Sequence, residues 1–336
     1  PGPEPLNLSS KASSMTAQHD AHQSALPPAD TSTTARLTMW ARRHVPPWLL
    51  LAPGLITLGI LLILPLFRVV DLSLQEYGLR NLLKGTTNYV GFDNYSTILA
   101  DPHLWKTVLP NTVGFAAVCV VLTMLVGVAV ALFLNTLSLT WRNICIGAIM
   151  VAWAVPALTG TYVFVWLFDP TSGFVASVLD ALGLFTPGSA NWWDSRLTFY
   201  GIAALNVVYH GFPFIAVTTL AGLLTIPESL YEAAKVDGAS AWKRFTNVTL
   251  PMIRPILAVC IILSTIWDFK VFTQIYLMPG GDGSNRNMMN LGVWSYTESF
   301  GQGKYGMGSA IAVLLTLVLL AISVVYMRAL MKEDEL

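Results

Sequence analysis

The chain has 336 residues, 54% of them apolar and only 11% charged, with a mean hydropathy of +0.59. Ordinary soluble domains carry about 25% charge, so this composition excludes a soluble globular protein and marks a membrane protein. Lys and Arg together number 19, as do Asp and Glu, and the zero net charge argues against a nucleic-acid partner.

In chain order, Pro1 to Ser14 read as an expression scar, since Met15 can serve as a native start. Residues 15–47 are rich in Ala, Ser, Thr and Pro and read as a disordered tail, with the basic stretch Ala35 to His44 suited to a membrane surface. The first hydrophobic run is too long, and begins too far along, for an ordinary cleaved signal peptide.

A helix needs about 20 apolar residues to cross the hydrocarbon layer. Six segments qualify: Trp48–Val70, Val108–Leu134, Ile144–Phe168, Phe199–Leu224, Ile256–Met278 and Met307–Met327. They are expected to be helical because hydrocarbon offers a backbone group no outside partner. The expected fold is therefore all-α and polytopic, a six-span domain over 48–330 with 331–336 as a short terminal segment. An even number of spans puts both termini on one side.

Basic residues choose that side. With the termini in the cytoplasm, Arg36, Arg42, Arg43, Arg142, Lys235, Lys243, Arg244, Arg254, Arg328 and Lys332 lie inside. Arg80, Lys84, Lys106, Arg196, Arg286 and Lys304 then fall in longer outer loops beside Asp93, Asp101, Asp169, Asp194 and Glu298. Pro53, Pro65, Pro156 and Pro213, with Gly160 and Gly211, mark places where spans bend or unwind, either to line a polar path or as packing kinks. Cys119, Cys145 and Cys260 lie in apolar runs and read as small buried hydrophobes, with neither a disulfide framework nor a metal-ligand spacing.

The segment 226–254 is polar, Ala-rich and much longer than a crossing between spans requires. Pro227 suits a first helical position, Glu228 favours the positive end of the helix dipole, and Gly238 is the natural stop. Ser240 is placed to cap a second short helix carrying Trp242 to Phe245, which Leu250-Pro251 ends. The segment reads as a docking element on the inner face, or as an amphipathic interfacial helix without a partner.

Asp268 and Lys270 fall in the fifth span, where a charge costs about 2.5 kcal/mol or more. Asp268 should face a cavity or an ion-pair partner. Trp267, Phe269 and Phe272 add flat apolar faces, and a ring beside hydrogen-bonding groups suits a carbohydrate. Asn206 and His210, four apart on one helical face, either bind hydroxyls or pack between helices.

Glu232-Ala233-Ala234, three residues, Gly238, nine residues, then Val248-Thr249-Leu250-Pro251 resembles the EAA loop of ABC-importer permeases, with Val248 in place of an Ile. Val90-Gly91-Phe92-Asp93-Asn94-Tyr95, Leu109-Pro110-Asn111-Thr112, Trp166-Leu167-Phe168-Asp169-Pro170 and Leu220-Ala221-Gly222-Leu223-Leu224 resemble its carbohydrate-uptake subfamily, of the first maltose or glycerol-phosphate permease type. Met278-Pro279-Gly280-Gly281 departs from that subfamily's pattern, which leaves the outer loop 279–306 open.

The resemblance implies a type I ABC importer transmembrane fold in the bacterial cytoplasmic membrane. Tyr231, Glu232, Ala233, Ala234, Asp237, Gly238, Leu250 and Pro251 would form a cytoplasmic coupling helix and its flank, held by an ATPase subunit. It implies a second permease, two ATPase subunits carrying ATP and Mg, and an extracellular substrate-binding protein. It also implies a sugar path along Ser264, Trp267, Asp268 and Val271, with Gly211 and Phe214 from the fourth span. No Gly-rich loop ending in Lys-Ser/Thr is present, so the chain is expected to perform no ATP hydrolysis of its own. The rival expectations are an ion-coupled transporter relaying protons through Asp268 or His210, and a membrane glycosyltransferase, for which Asp93, Asp101 and Asp194 are too scattered.

Overall fold

The computed structural model describes residues 49–333. The segment 1–14, the tail at 15–47 with Arg36, Arg42 and Arg43, and residues 334–336 lie outside the described residues. The chain divides into two compact units, Pro1–Pro65 and Leu66–Leu336. In the first, the described residues form one helix with no buried side chain, its Leu and Ile exposed on every side as lipid contact requires.

Helix α1 (Leu49–Ser73) begins in the first unit and ends in the second. The second unit continues with α2 (Leu79–Lys84), α3 (Asp93–Ala100), α4 (Leu104–Thr136), α5 (Leu139–Ala154) and α6 (Ala157–Leu167). Then come α7 (Phe174–Ala181), α8 (Arg196–Leu223), α9 (Glu228–Val236) and α10 (Ala241–Phe269). Last are α11 (Thr273–Tyr276), α12 (Leu291–Tyr296) and α13 (Tyr305–Glu333). Among the described residues there is no strand beyond one isolated bridge between Gln75 and Tyr89.

Helices α1, α4, α8, α10 and α13 are each long and apolar enough to cross a membrane. The expected span at Ile144–Phe168 is a bent pair of helices, with the bend at Pro156 that the sequence marked. Helices α5 and α6 meet at 91° around Val155-Pro156. The residue before a proline is pushed out of the helical region, and Val155 (ψ 126°) and Pro156 (ψ 138°) are both extended.

The other prolines are absorbed rather than obeyed. Wide π turns at Gly59–Ile63, Leu104–Val108 and Phe245–Thr249 end two residues before Pro65, Pro110 and Pro251. In each, the residue before the proline donates its N–H five residues back: Leu64 to Gly59, Leu109 to Leu104, Leu250 to Phe245. The extra residue per turn shifts the carbonyl that a proline ring would otherwise strike. Leu250-Pro251 therefore lies inside α10, and the expectation that it ends a separate short helix is corrected. Pro213 likewise sits within an unbroken α8, so the expected break at 211–214 is absent.

Helix α8 is the hub between α4 and α10. Gly127 of α4 admits Ile215 of α8 so closely that an added Cβ would lie 2.6 Å from it. One buried cluster, with Leu134, Leu220, Leu223 and Ile253, forms beside the α9 end of the bundle. A larger one, with Phe115, Phe199, Ile275, Met288 and Trp294, forms at the other end. The segment 279–306, left open by the sequence, is pinned to the second cluster. Asn111 donates to the carbonyls of Asn287 (2.9 Å) and Met289 (2.8 Å), and the Leu291 N–H donates to Thr112 Oγ1 (2.9 Å).

The fifth span stops at Phe269 rather than Met278, so Lys270 is the cap residue and not part of the span. The Val271 carbonyl, which a continuing helix would give to Ile275, instead accepts from Asn290 Nδ2 at 2.9 Å. Ile275 turns to the Phe272 carbonyl at 3.1 Å. A partner far along the chain outbids the local helix.

Candidate functional site

Helix α9 leaves the bundle on a built stop. Its end is a Schellman motif: Gly238 N–H donates to Lys235 O (3.0 Å) and Ala239 N–H to Ala234 O (2.9 Å). Gly238 holds φ at +75°, and a Cβ there would meet nothing within 4 Å. Its glycine is demanded by the backbone angle alone. Pro227 takes the cap position, one before its expected place, and Glu228 opens the helix near the dipole's positive end.

One side of α9 is anchored and the other is free. The Tyr231 hydroxyl lies 3.0 Å from Thr249 Oγ1 in the π turn of α10, and Tyr231 packs on the cluster of Leu134, Leu220 and Ile253. Glu232, Ala233, Lys235, Val236 and Asp237 are exposed, Val236 at 87%, while Ala234 is half-buried. Ser240 caps α10 by accepting from the Lys243 N–H at 3.4 Å, and Leu250 and Pro251 lie exposed a few turns on. The outward face of this short, rigidly stopped helix carries Ala233 and Val236 beside the charged Glu232, Lys235 and Asp237.

The residues expected to line a path separate into two groups. Phe214 of α8 and Trp267 of α10 meet edge to face at 5.1 Å, and Gly211 packs on Thr123 of α4. Close by in α10, Ser264 Oγ donates to Asp268 Oδ2 at 3.2 Å. Asp268 is only 7% exposed, and among the described residues no cation pairs with it. Val271, just past the helix end, is buried.

Asn206 and His210 belong elsewhere. Asn206 is fully buried, donates to Thr161 Oγ1 of α6 (3.1 Å), and its Oδ1 lies 3.1 Å from His210 Nδ1. The His210 ring fills the space beside Gly160, where a Cβ would come within 2.3 Å of it. These two hold α6 against α8, so their packing role is the one the geometry supports.

Residues 123–332 match the family model described as "Binding-protein-dependent transport system inner membrane component". This chain belongs to that family. It is 39% identical over 289 residues to the diacetylchitobiose uptake system permease protein DasB of Streptomyces coelicolor, covering 86% of this chain and 88% of that one. It is 31% identical over 268 residues to the trehalose transport system permease protein SugA of Mycobacterium tuberculosis, covering 80% and 83%. Among solved structures, a chain of a bacterial ABC transporter that imports the acidic polysaccharide alginate superposes with a TM-score of 0.74 at 20% identity. That superposition covers 88% of this chain and 99% of that chain, and it carries the fold.

Sequence reasoning about this permease missed the residues that hold its segment 279–306. Asn111, Thr112 and Asn290 were the signal, since Asn111 and Thr112 lie in a quoted family-like motif while buried amides and hydroxyls need partners. Asp169, in the loop after α6, is a second such element. It accepts from the hydroxyl and N–H of Thr171 and from the Ser172 N–H, which pulls its pKa down to about 2.

Proposed function

We propose that this chain is the membrane subunit of an ATP-driven importer that moves a sugar or sugar derivative into a bacterial cell. The observation that carries the coupling part of the reading is α9, anchored through Tyr231 and presenting Glu232 to Asp237 outward. In this reading α9 is the coupling helix, received by a separate ATPase subunit, and the basic residues Lys235, Lys243 and Arg244 put it on the cytoplasmic side. Both termini then lie in the cytoplasm. The partners are a second permease, two ATPase subunits that bind ATP and Mg, and an extracellular substrate-binding protein.

Sugar as cargo is supported by relatives named for diacetylchitobiose and trehalose. It is also supported by the pairing of the Phe214 and Trp267 rings with the Ser264–Asp268 hydrogen bond. Rings stack on the C–H faces of a sugar while the polar groups take its hydroxyls. ATP binding would close the ATPase pair, draw α9 with it, and rotate α8 and α10 through the contacts of Tyr231; hydrolysis would reset them.

The test is purification from the native membrane followed by transport in proteoliposomes. Co-purification with an ATPase and a binding protein, and uptake blocked by vanadate, is the expected result. Uptake abolished by a protonophore and indifferent to vanadate would instead assign ion coupling through Asp268 or His210.

A further inference from the structure

At the end of the bundle opposite α9, six aromatic rings form one contiguous packed row. Phe272 stacks on Tyr276 at 4.9 Å, and both lie against Tyr296, at 5.2 and 5.0 Å. Tyr296 contacts Phe300 at 5.0 Å, Phe300 contacts Tyr305 at 6.1 Å, and Tyr305 contacts Tyr77 at 6.4 Å. One end, Phe272, follows Val271 in sequence, past the end of α10 and four residues after Asp268. The other end opens into a cavity of about 500 Å³.

The cavity's chemistry is specific. Phe300, Tyr305 and Tyr77 supply rings, Phe300 being 68% exposed, Val69, Leu72, Leu82 and Ala312 add aliphatic surface, and no charged side chain lines the space. Five hydroxyls line it as well: that of Ser295 donates to the Gly308 carbonyl at 2.8 Å, and among the described residues those of Tyr77, Ser299, Tyr305 and Ser309 make no hydrogen bond. Gly308 lets Ser299 approach the start of α13, since an added Cβ would lie 1.9 Å from the Ser299 hydroxyl.

A lipid chain in this space would contact the rings and leave the hydroxyls unpaired, at a cost for each polar group covered without a partner. A charged ligand would find no counter-charge. A neutral polyhydroxylated ring satisfies both sets, with its C–H face on Phe300 and its hydroxyls on the serines and tyrosines. A volume of about 500 Å³ is within the range of small-molecule sites.

We propose that the cavity of Tyr77, Ser299, Phe300, Tyr305 and Ser309 is a neutral-sugar subsite that holds one unit of the cargo on the outer face. This subsite rests on the sugar-importer reading above.

The test uses the complete transporter with its binding protein in proteoliposomes, and radiolabelled N,N′-diacetylchitobiose, trehalose and maltose as probes. If the unaltered assembly imports none of them, the sugar reading itself fails. With an imported probe, Phe300→Leu and the double variant Ser299→Ala/Ser309→Ala are each expected to lower sugar moved per ATP hydrolysed about tenfold, the effect of losing one stacking ring or its hydroxyl partners. Phe300→Trp is expected to retain transport, because the stacking face remains. Leu and Ala variants that transport like the unaltered protein would show a lipid-facing or packing surface and overturn the subsite. Loss of subunit assembly in the serine variant, which removes only two oxygens, would instead assign the cavity to a subunit interface and overturn it too.

Discussion

The Tyr231 hydroxyl lies 3.0 Å from Thr249 Oγ1, and this bond joins α9 to the π turn through which α10 enters its span. It is a direct polar link between the exposed helix and a spanning one. Tyr231→Phe keeps the ring in the cluster and deletes the bond, worth about 1 kcal/mol. The expected outcome is intact assembly with less sugar moved per ATP. Thr249→Val should do the same, and the double variant should equal either single one if the two act as a unit.

Gly238 separates backbone demand from packing, because its φ is +75° with open space around it. A β-branched residue there costs about 1–2 kcal/mol and unwinds the stop. Gly238→Val is expected to lose uptake and release the ATPase subunit on purification. Gly238→Asn, which tolerates the left-handed region, should keep both. Equal behaviour of the two variants would mean that the Schellman stop does not matter.

Asp268 has a hydroxyl partner, Ser264, and among the described residues no cation. Asp268→Asn therefore removes no ion pair, and normal membrane yield and thermal stability are expected with reduced transport. Collapse of the yield would point to a structural charge.

Asn206 donates to Thr161 and faces His210, binding α8 to α6. Asn206→Ala leaves buried partners unpaired and should destabilise the subunit by about 1–3 kcal/mol. The melting temperature of the purified assembly is expected to fall while the set of imported sugars stays the same.

Asp169 titrates at about 2 in the folded loop against an ordinary value of 3.8. A depressed carboxylate contributes stability above its unfolded value and loses it as pH falls through the folded one. Hydrogen-exchange protection at Thr171 and Ser172 should therefore decline from pH 3.8 toward about 2. Asp169→Asn should remove that dependence.

Hydropathy made the spans legible, because a segment that meets lipid on all sides must be apolar throughout, as Leu49 to Pro65 is. Glu232, Ala233, Ala234 and Gly238 were legible for a local reason too, since a left-handed stop needs glycine whatever surrounds it. Proline misled in both directions. Pro156 bends its span by 91°, whereas Pro251 and Pro110 do not, because a π turn beforehand moves the clashing carbonyl aside.

The chain by itself determined its class, the crossings and the capped helix between the fourth and fifth of them, because lipid contact and backbone geometry act residue by residue. Tertiary structure alone decided where α10 ends, since the Val271 carbonyl goes to Asn290, nineteen residues on. It alone sent Asn206 and His210 to α6 while Phe214 met Trp267. Hydrogen bonds and ring contacts between distant segments depend on which helices come to lie side by side, and no local pattern carries that information.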